Sequence, residues 1–503
     1  MGPNNSYLYL KTHATGPVPD GLAADTLRGL IHQQEEQLKG LDDEIAQQRA
    51  LPHALEAQRG RAELAKLRDH HRALLAPIQK LPPEILGEVF IQSLLASWHG
   101  RTRRERTLDV RPSLLQVCQQ WKRTALGTPG LWTMLRFDLA RLGPYSRVQM
   151  CLDNSGGLPI KVKMGDPDYE GTAEMRLLLE NFHRVEEISG WGFPLMLEIL
   201  DRELVLPTPL LKVVNVIWNS PKMEPCSEAE RLRLQNIIQA PPIENLCLTS
   251  CPQLLSIFCQ NPGKLQNLRV DGGCHHRYTS ELLDVLPSLS SLQSLDLRLP
   301  QHPVSVIRDA RITLPHLSSM SIAGHPDDIG GQLAALDVPS LDSFTLHHYL
   351  SDRPIPWIPI QSFLQGDPPP LQYLTVTHIF LEHGFMDLIS RLSHLEHLKL
   401  DMCTGMDEHF GAFILDPHIS HDNMVCPKLA TLSVYSTELP GAVLVKVVQS
   451  CVQLSGVTWE NRCLQSVEAS GCWSQEDHHV ALEQIREACG GRLALNSNLC
   501  GPW

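Results

Sequence analysis

The side chains able to do chemistry are plentiful in this chain, so their spacing decides what they could do. It holds 23 histidines and 14 cysteines, enough to build a metal centre or a nucleophilic site. The histidine pairs at 275–276, 347–348 and 478–479 have no companion motif at metal-ligand spacing, and no C-x-x-C pair occurs. They read as surface or loop histidines. Asp407-Glu408-His409 sets two acids beside an imidazole, yet no nucleophile, base and orienting group can be assembled around it. The phosphate-cradling G-x-x-x-x-G-K-[ST], a strand-anchored G-x-G-x-x-G, the nucleophile elbow G-x-S-x-G and the zinc-binding H-E-x-x-H are all missing. Gly366-Asp367-Pro368-Pro369-Pro370 is turn chemistry. The expectation is a chain that is not an enzyme, holds no metal and uses no cofactor. What remains for its reactive side chains is recognition.

Two kinds of element must position such a surface. The first is a recurring phrase, L-x-x-L-x-L, found at Val185–Ile188, Leu211–Val216, Ile243–Leu248, Leu265–Val270, Leu292–Leu297, Leu317–Ile322, Leu341–Leu346, Leu371–Val376, Leu395–Leu400, Leu429–Val434 and Leu454–Trp459. Successive starts lie 22 to 34 residues apart, the irregular period of leucine-rich repeats. The alternating apolar residues would point inward from a short strand, and no single unit could cover its own apolar face, so neighbours must stack into a solenoid. Ser280–Leu286 and Ala442–Ser450 read as helical returns between strands. Asn219, Cys251 and Cys403 each fall three residues after the last apolar strand residue, where such repeats bury a polar or thiol group against backbone. The non-leucine strand positions would face the concave side. Arg269, Asp271, Asp296, Arg298, His347, Lys399, Asp401 and Tyr435 are the candidates there for holding a protein target. Signs are mixed: Asp271 would neutralise Arg269 and Asp296 would neutralise Arg298, so no phosphate or nucleic-acid track is visible.

The second element is Leu81–Leu135. Leu81-Pro82-Pro83-Glu84 starts a helix, with prolines in the first turn and an acid at its positive end. Ile85, Leu86, Val89, Phe90 and Leu94 follow on one face. A polar, basic interruption covers Ser97 to Arg111. A second amphipathic run then carries Leu114, Leu115, Val117, Cys118 and Trp121, and Thr128-Pro129-Gly130 turns into Leu131-Trp132. Some fifty residues of short helices are near the lower limit for an independent core, which makes a partner surface plausible.

LPPEIL, VCQQWK and TPGLW, in that order and spacing, resemble the F-box, the motif that binds the Skp-type adaptor of cullin–RING ubiquitin ligases. The resemblance implies that Leu81, Pro82, Glu84, Ile85, Leu86, Val89, Val117, Cys118, Trp121, Leu131 and Trp132 face the adaptor. The link between the first two helices is longer than the family's usual one. A helical lead running into LAPIQKLPPEILGEVF also resembles a large group of fungal F-box proteins.

The remaining stretches frame these two. Residues 1–24 read as disordered. Leu27, Ile31, Leu38, Leu41 and Ile45 form a stripe that Pro52 interrupts, and Leu55 to Leu75 continue it. This segment, residues 25–76, is either a dimerising or partner-binding coil, self-associating through residues 25–75, or an antiparallel helical hairpin. Ile160–Met164 alternates as a strand, and Met175–Phe182 reads as a helix. Residues 77–137 form the F-box unit, 138–470 the repeat array, and 471–503 a C-terminal cap with a helix within Trp473–Ala488. The expected class is α/β: an N-terminal helical segment and all-α F-box, then parallel strands in an irregular leucine-rich-repeat solenoid. A net charge of −13 argues against a general nucleic-acid or anionic-membrane binder. No run of about 18 apolar residues or apolar signal core is present, and the scattered cysteines read as reduced thiols of the cytoplasm or nucleus. The reading is a ligase's substrate receptor; the alternative is a scaffold of leucine-rich repeats outside ubiquitination.

Overall fold

A computed structural model describes residues 21–47, 51–98, 109–137, 146–164, 172–190, 209–217, 242–251, 254–259, 262–272, 278–299, 311–348, 355–356, 363, 368–380, 389, 391–404, 428–435, 445, 466–470, 480, 483–484, 487 and 494–496. The chain divides into two compact units, Met1–Lys161 and Val162–Trp503.

The first unit begins with two long helices, α1 (Gly21–Gln47) and α2 (Leu51–Leu75). Pro52 stands in the first turn of α2, where a missing N–H costs nothing. Asp42 pairs with Arg61, Glu35 pairs with Arg72, and His71 Nδ1 lies 3.1 Å from Gln34 Oε1. Contacts that advance along one helix while retreating along the other define an antiparallel hairpin. The segment folds as an antiparallel hairpin, with Ala24, Gln34 and Leu38 buried on α1.

Helix α3 (Pro83–Trp98) follows a short turn at Pro77–Lys80. It buries Leu86, Gly87, Phe90, Leu94 and Trp98 along one face. The second amphipathic run breaks into α4 (Arg111–Val117) and α5 (Gln119–Leu126), because Cys118 is fully extended (φ −159°, ψ 173°) and its Sγ accepts from Trp121 N to cap α5. A turn at Pro129–Trp132 then leads into β1 (Met134–Phe137), which is followed by α6 (Ser146–Asn154) and β2 (Ile160–Met164). The alternating burial of β2 matches the alternation of its sequence.

In the second unit, α7 (Thr172–Glu180) buries Met175, Leu178 and Leu179. The sheet strands are β3 (Val185–Gly190), β4 (Val213–Ile217), β5 (Asn245–Thr249), β6 (Asn267–Asp271), β7 (Ser294–Arg298), β9 (Ser319–Gly324), β11 (Ser343–His348), β13 (Tyr373–Thr377), β15 (His397–Asp401), β16 (Thr431–Tyr435), β17 (Ser466–Ser470) and β18 (Ala494–Asn496). These twelve lie side by side in chain order, and every pairing between them is parallel. Two-residue strands β8 (Ile312–Thr313), β10 (Leu336–Asp337), β12 (Ile355–Pro356) and β14 (Ile379–Phe380) pair separately, β8 with β10 and β12 with β14. Parallel neighbours need long crossovers, and here these include α8 (Leu255–Phe258), α9 (Tyr278–Val285) and α10 (Pro326–Ala334). The chain is therefore a mixed α/β protein with one large parallel sheet.

Register explains the leucine pattern. Leu246, Leu268, Leu295, Met320, Phe344, Leu374, Leu398 and Leu432 occupy one matched column, and Val216, Leu248, Val270, Leu297, Ile322, Leu346, Val376, Leu400 and Val434 another. All are buried. Ten of the eleven phrases thus supply a strand; Leu454–Trp459 lies outside the described residues, as do Asn219, most of Ala442–Ser450 and nearly all of Trp473–Ala488. Cys251 and Cys403 do bury their thiols against backbone, their Sγ donating to Val216 O (3.8 Å) and Val376 O (3.5 Å). The residue before each, Ser250 or Met402, takes a left-handed conformation (φ 60° and 51°), which turns the chain out of the strand.

Candidate functional site

Two surfaces gather the candidate residues, one in each unit. In the first unit the eleven residues expected at the adaptor surface divide into buried, half-buried and exposed groups. Leu86, Leu131 and Trp132 are 0% exposed, whereas Ile85 is 53%, Val89 38% and Val117 36% exposed. The first three are therefore core residues, a correction to the expectation that they meet a partner. The reason is helical phase and close approach. Position 86 falls on the side of α3 that also carries Gly87, where an added Cβ would meet Thr128 Oγ1 at 2.7 Å. Trp132 turns inward and donates from Nε1 to Ala125 O (2.7 Å). Pro82 and Glu84 are exposed, and Leu81, Cys118 and Trp121 are half-buried. The Trp121 ring tilts against Phe90 at 4.9 Å between centroids, and its buried Nε1 has no hydrogen-bond partner among the described residues.

Beneath this surface lies an arrangement that helical periodicity could not reveal. Arg111 is buried, donating from Nε and Nη2 to Asp109 (2.9 and 3.0 Å) and from Nη1 to Met134 O (2.9 Å) and Cys151 Sγ (3.1 Å). Its guanidinium also lies 5.9 Å from the Trp132 ring centroid. Burial by itself would push the Asp109 carboxyl up, but the charge and hydrogen bonds of Arg111 outweigh it and hold that carboxyl below the usual range. Burial pushes the Cys151 thiol up. Arg111 was visible only as the last residue of a polar interruption.

In the second unit the eight candidates all lie on the side of the sheet opposite the leucine columns. The register brings four of them together as Arg269 with Asp296 (3.3 Å) and Arg298 with Asp271 (3.8 Å). The ion pairs thus run between strands and not along each strand as expected. Directly opposed residues on parallel neighbours are closer than i and i+2 on one strand. Beyond three intervening strands, Lys399 Nζ lies 4.9 Å from the Tyr435 ring centroid, Asp401 is opposite Tyr435, and Tyr435 donates its hydroxyl to Glu468, which also accepts from Ser433 Oγ (3.3 Å). Burial first, then the Glu468 carboxylate, pushes the Tyr435 hydroxyl up. His347 lies between the two groups, its ring 6.1 Å from that of His378. Burial, then His378 and Arg298, lower its basicity, against the opposing pull of Asp401.

The motif reading missed Tyr373 and His397, which stack at 4.4 Å and 3°. They occupy the first outward position of their strands, one residue before the leucine, a column that carried no weight in the sequence. Glu468 was missed because β17 has no leucine phrase. Among the described residues no group of three His, Cys, Asp or Glu that could hold a metal exists, and none of their helices is long and apolar enough to cross a membrane. The six cysteines among them are thiols.

The class defined is thus a mixed α/β protein with several N-terminal helices and a large parallel sheet. Comparison with protein-family models and with curated proteins finds no match to this chain.

Proposed function

We propose that this protein is the substrate-recognition subunit of a cullin–RING ubiquitin ligase, docking through an F-box at residues 77–137 on the Skp-type adaptor and holding a protein target on a leucine-rich-repeat array. The observation that carries the reading is the apolar surface of Ile85, Val89 and Val117, left exposed over a closed core in the one segment whose motifs resemble the F-box. Apolar anchors of this kind dominate small interfaces. The parallel sheet supports the second half of the reading, since its polar face offers cations, acids and aromatics at fixed spacing. Catalysis in such an assembly is proximity: tethering a target near the charged conjugating enzyme raises the effective concentration of the reacting groups. This chain contributes no chemical step.

Co-purification with the adaptor tests it. Ile85→Asp and Val117→Asp each lie at the surface, so both should fold and both should lose the adaptor. Retained binding by both variants refutes the docking face. A second reading has its own support: Leu86, Leu131 and Trp132 close a core within the chain, as they would if the helices only capped a non-catalytic scaffold. Folded wild-type protein that fails to bind the adaptor selects that reading.

A further inference from the structure

We infer that the histidines at the C-terminal ends of β9, β11 and β13 form an acid-sensitive joint within the sheet. Stacking brings together His325, His347, His348 and His378, which the sequence separates by as many as 53 residues. His348 is the centre of the device. It ends β11 opposite Gly324 and is 4% exposed, which corrects the expectation that this histidine pair lies at the surface or in a loop. The backbone there is tightly packed, for a Cβ on Gly324 would meet Leu299 Cβ at 2.6 Å. His348 Nε2 is buried with no hydrogen-bond partner among the described residues. A neutral imidazole tolerates this, because the unprotonated nitrogen is a weak acceptor in apolar surroundings. An imidazolium would place a charged N–H donor there with no acceptor among the described residues.

The neighbouring imidazoles crowd the same end of the sheet. His325 faces His348 edge-on at 6.5 Å, and His347 faces His378 at 6.1 Å. His378 is held in position by a left-handed backbone (φ 59°). From β7, Arg298 adds a cation toward His347, itself paired with Asp271 of β6. From β15, Asp401 opposes these on His347. On His348 burial acts first, and His325, His378 and His347 all act in the same direction. In α10 the buried Ile329, Gln332 and Leu333 carry no charge, while Asp327 and Asp328 stand in the first turn of that helix.

A proton added at His348 therefore meets a buried site that three other imidazoles surround. Protonation of His348 favours separation of β9, β11 and β13. The joint is closed at neutral pH and opens as pH falls below the ordinary histidine range.

Hydrogen exchange of the full chain between pH 7 and pH 5, corrected for intrinsic rates, reads this directly. Protection of β9, β11 and β13 amides should fall on the order of tenfold across that range, with β5 and β6 changing less. His348→Leu should flatten the change in those three strands. Should His348→Leu not fold, His378→Asn serves instead: asparagine accepts the left-handed backbone, and removing one imidazole should reduce the change. An equal pH response in the variant and the wild type, or an equal response across all strands, overturns the inference.

Discussion

Replacing Asp109 with alanine isolates the buried guanidinium of Arg111. In the wild type, Asp109 receives two of the guanidinium's hydrogen bonds at 2.9 and 3.0 Å, and the remaining pair goes to Met134 O and Cys151 Sγ. Asp109→Ala leaves a cation whose side chain is only 8% exposed without its counter-ion. Breaking a buried pair from one side destabilises by about 3–5 kcal/mol. The Asp109 side chain is 25% exposed, so water already screens part of the interaction and the lower end, about 3 kcal/mol, is expected. Arg111→Met in addition should recover part of this, because it removes the stranded charge while keeping the aliphatic volume. Hydrogen exchange in peptides spanning Arg111–Phe137 follows this unit specifically. A loss below about 1 kcal/mol for Asp109→Ala, or a double variant weaker than the sum of the singles, refutes the pairing energetics. The pH sign is fixed by direction. A carboxyl whose folded value is lowered contributes stability above its unfolded value, near pH 4, and loses it as pH falls through the folded value. The first unit should therefore weaken in acid below about pH 4, and Asp109→Asn should weaken less.

Two further outcomes follow from packing. Gly324→Ala drives a methyl into Leu299 and should lower stability by about 1–3 kcal/mol in urea unfolding; an unchanged midpoint would show that β9 can shift. Burial pushes the Cys259 thiol up to about 12 and the Cys403 thiol to about 11, so both should resist alkylation at pH 8 until the chain unfolds, and native labelling at the unfolded rate would contradict their placement.

Much of the sheet was legible because burial is a one-dimensional signal when strands are short and parallel. Each L-x-x-L-x-L phrase carries its own inward residues, and Leu268, Leu295 and Leu398 needed no distant information to be placed in the core. β17 was not legible: Ser466–Ser470 has no leucine phrase and is held by pairing with β16. In the helical segment the motif located the element but not its orientation. Ile85 and Leu86 are adjacent, both apolar, and equivalent to a motif reading, yet one is open to solvent and the other sealed.

Taken alone, the sequence determined the repeat period, the apolar columns, the helical start at Pro82-Pro83 and the lack of assembled catalytic motifs, because each depends on residues within one turn or one strand. Only the tertiary structure decided which residues meet. The parallel register chose Asp296 for Arg269 and Asp271 for Arg298, gathered four histidines from three strands, and set Arg111 against Asp109, Met134 and Cys151. Such pairings depend on how far the chain travels between elements and in which register it returns, and no local pattern encodes either quantity.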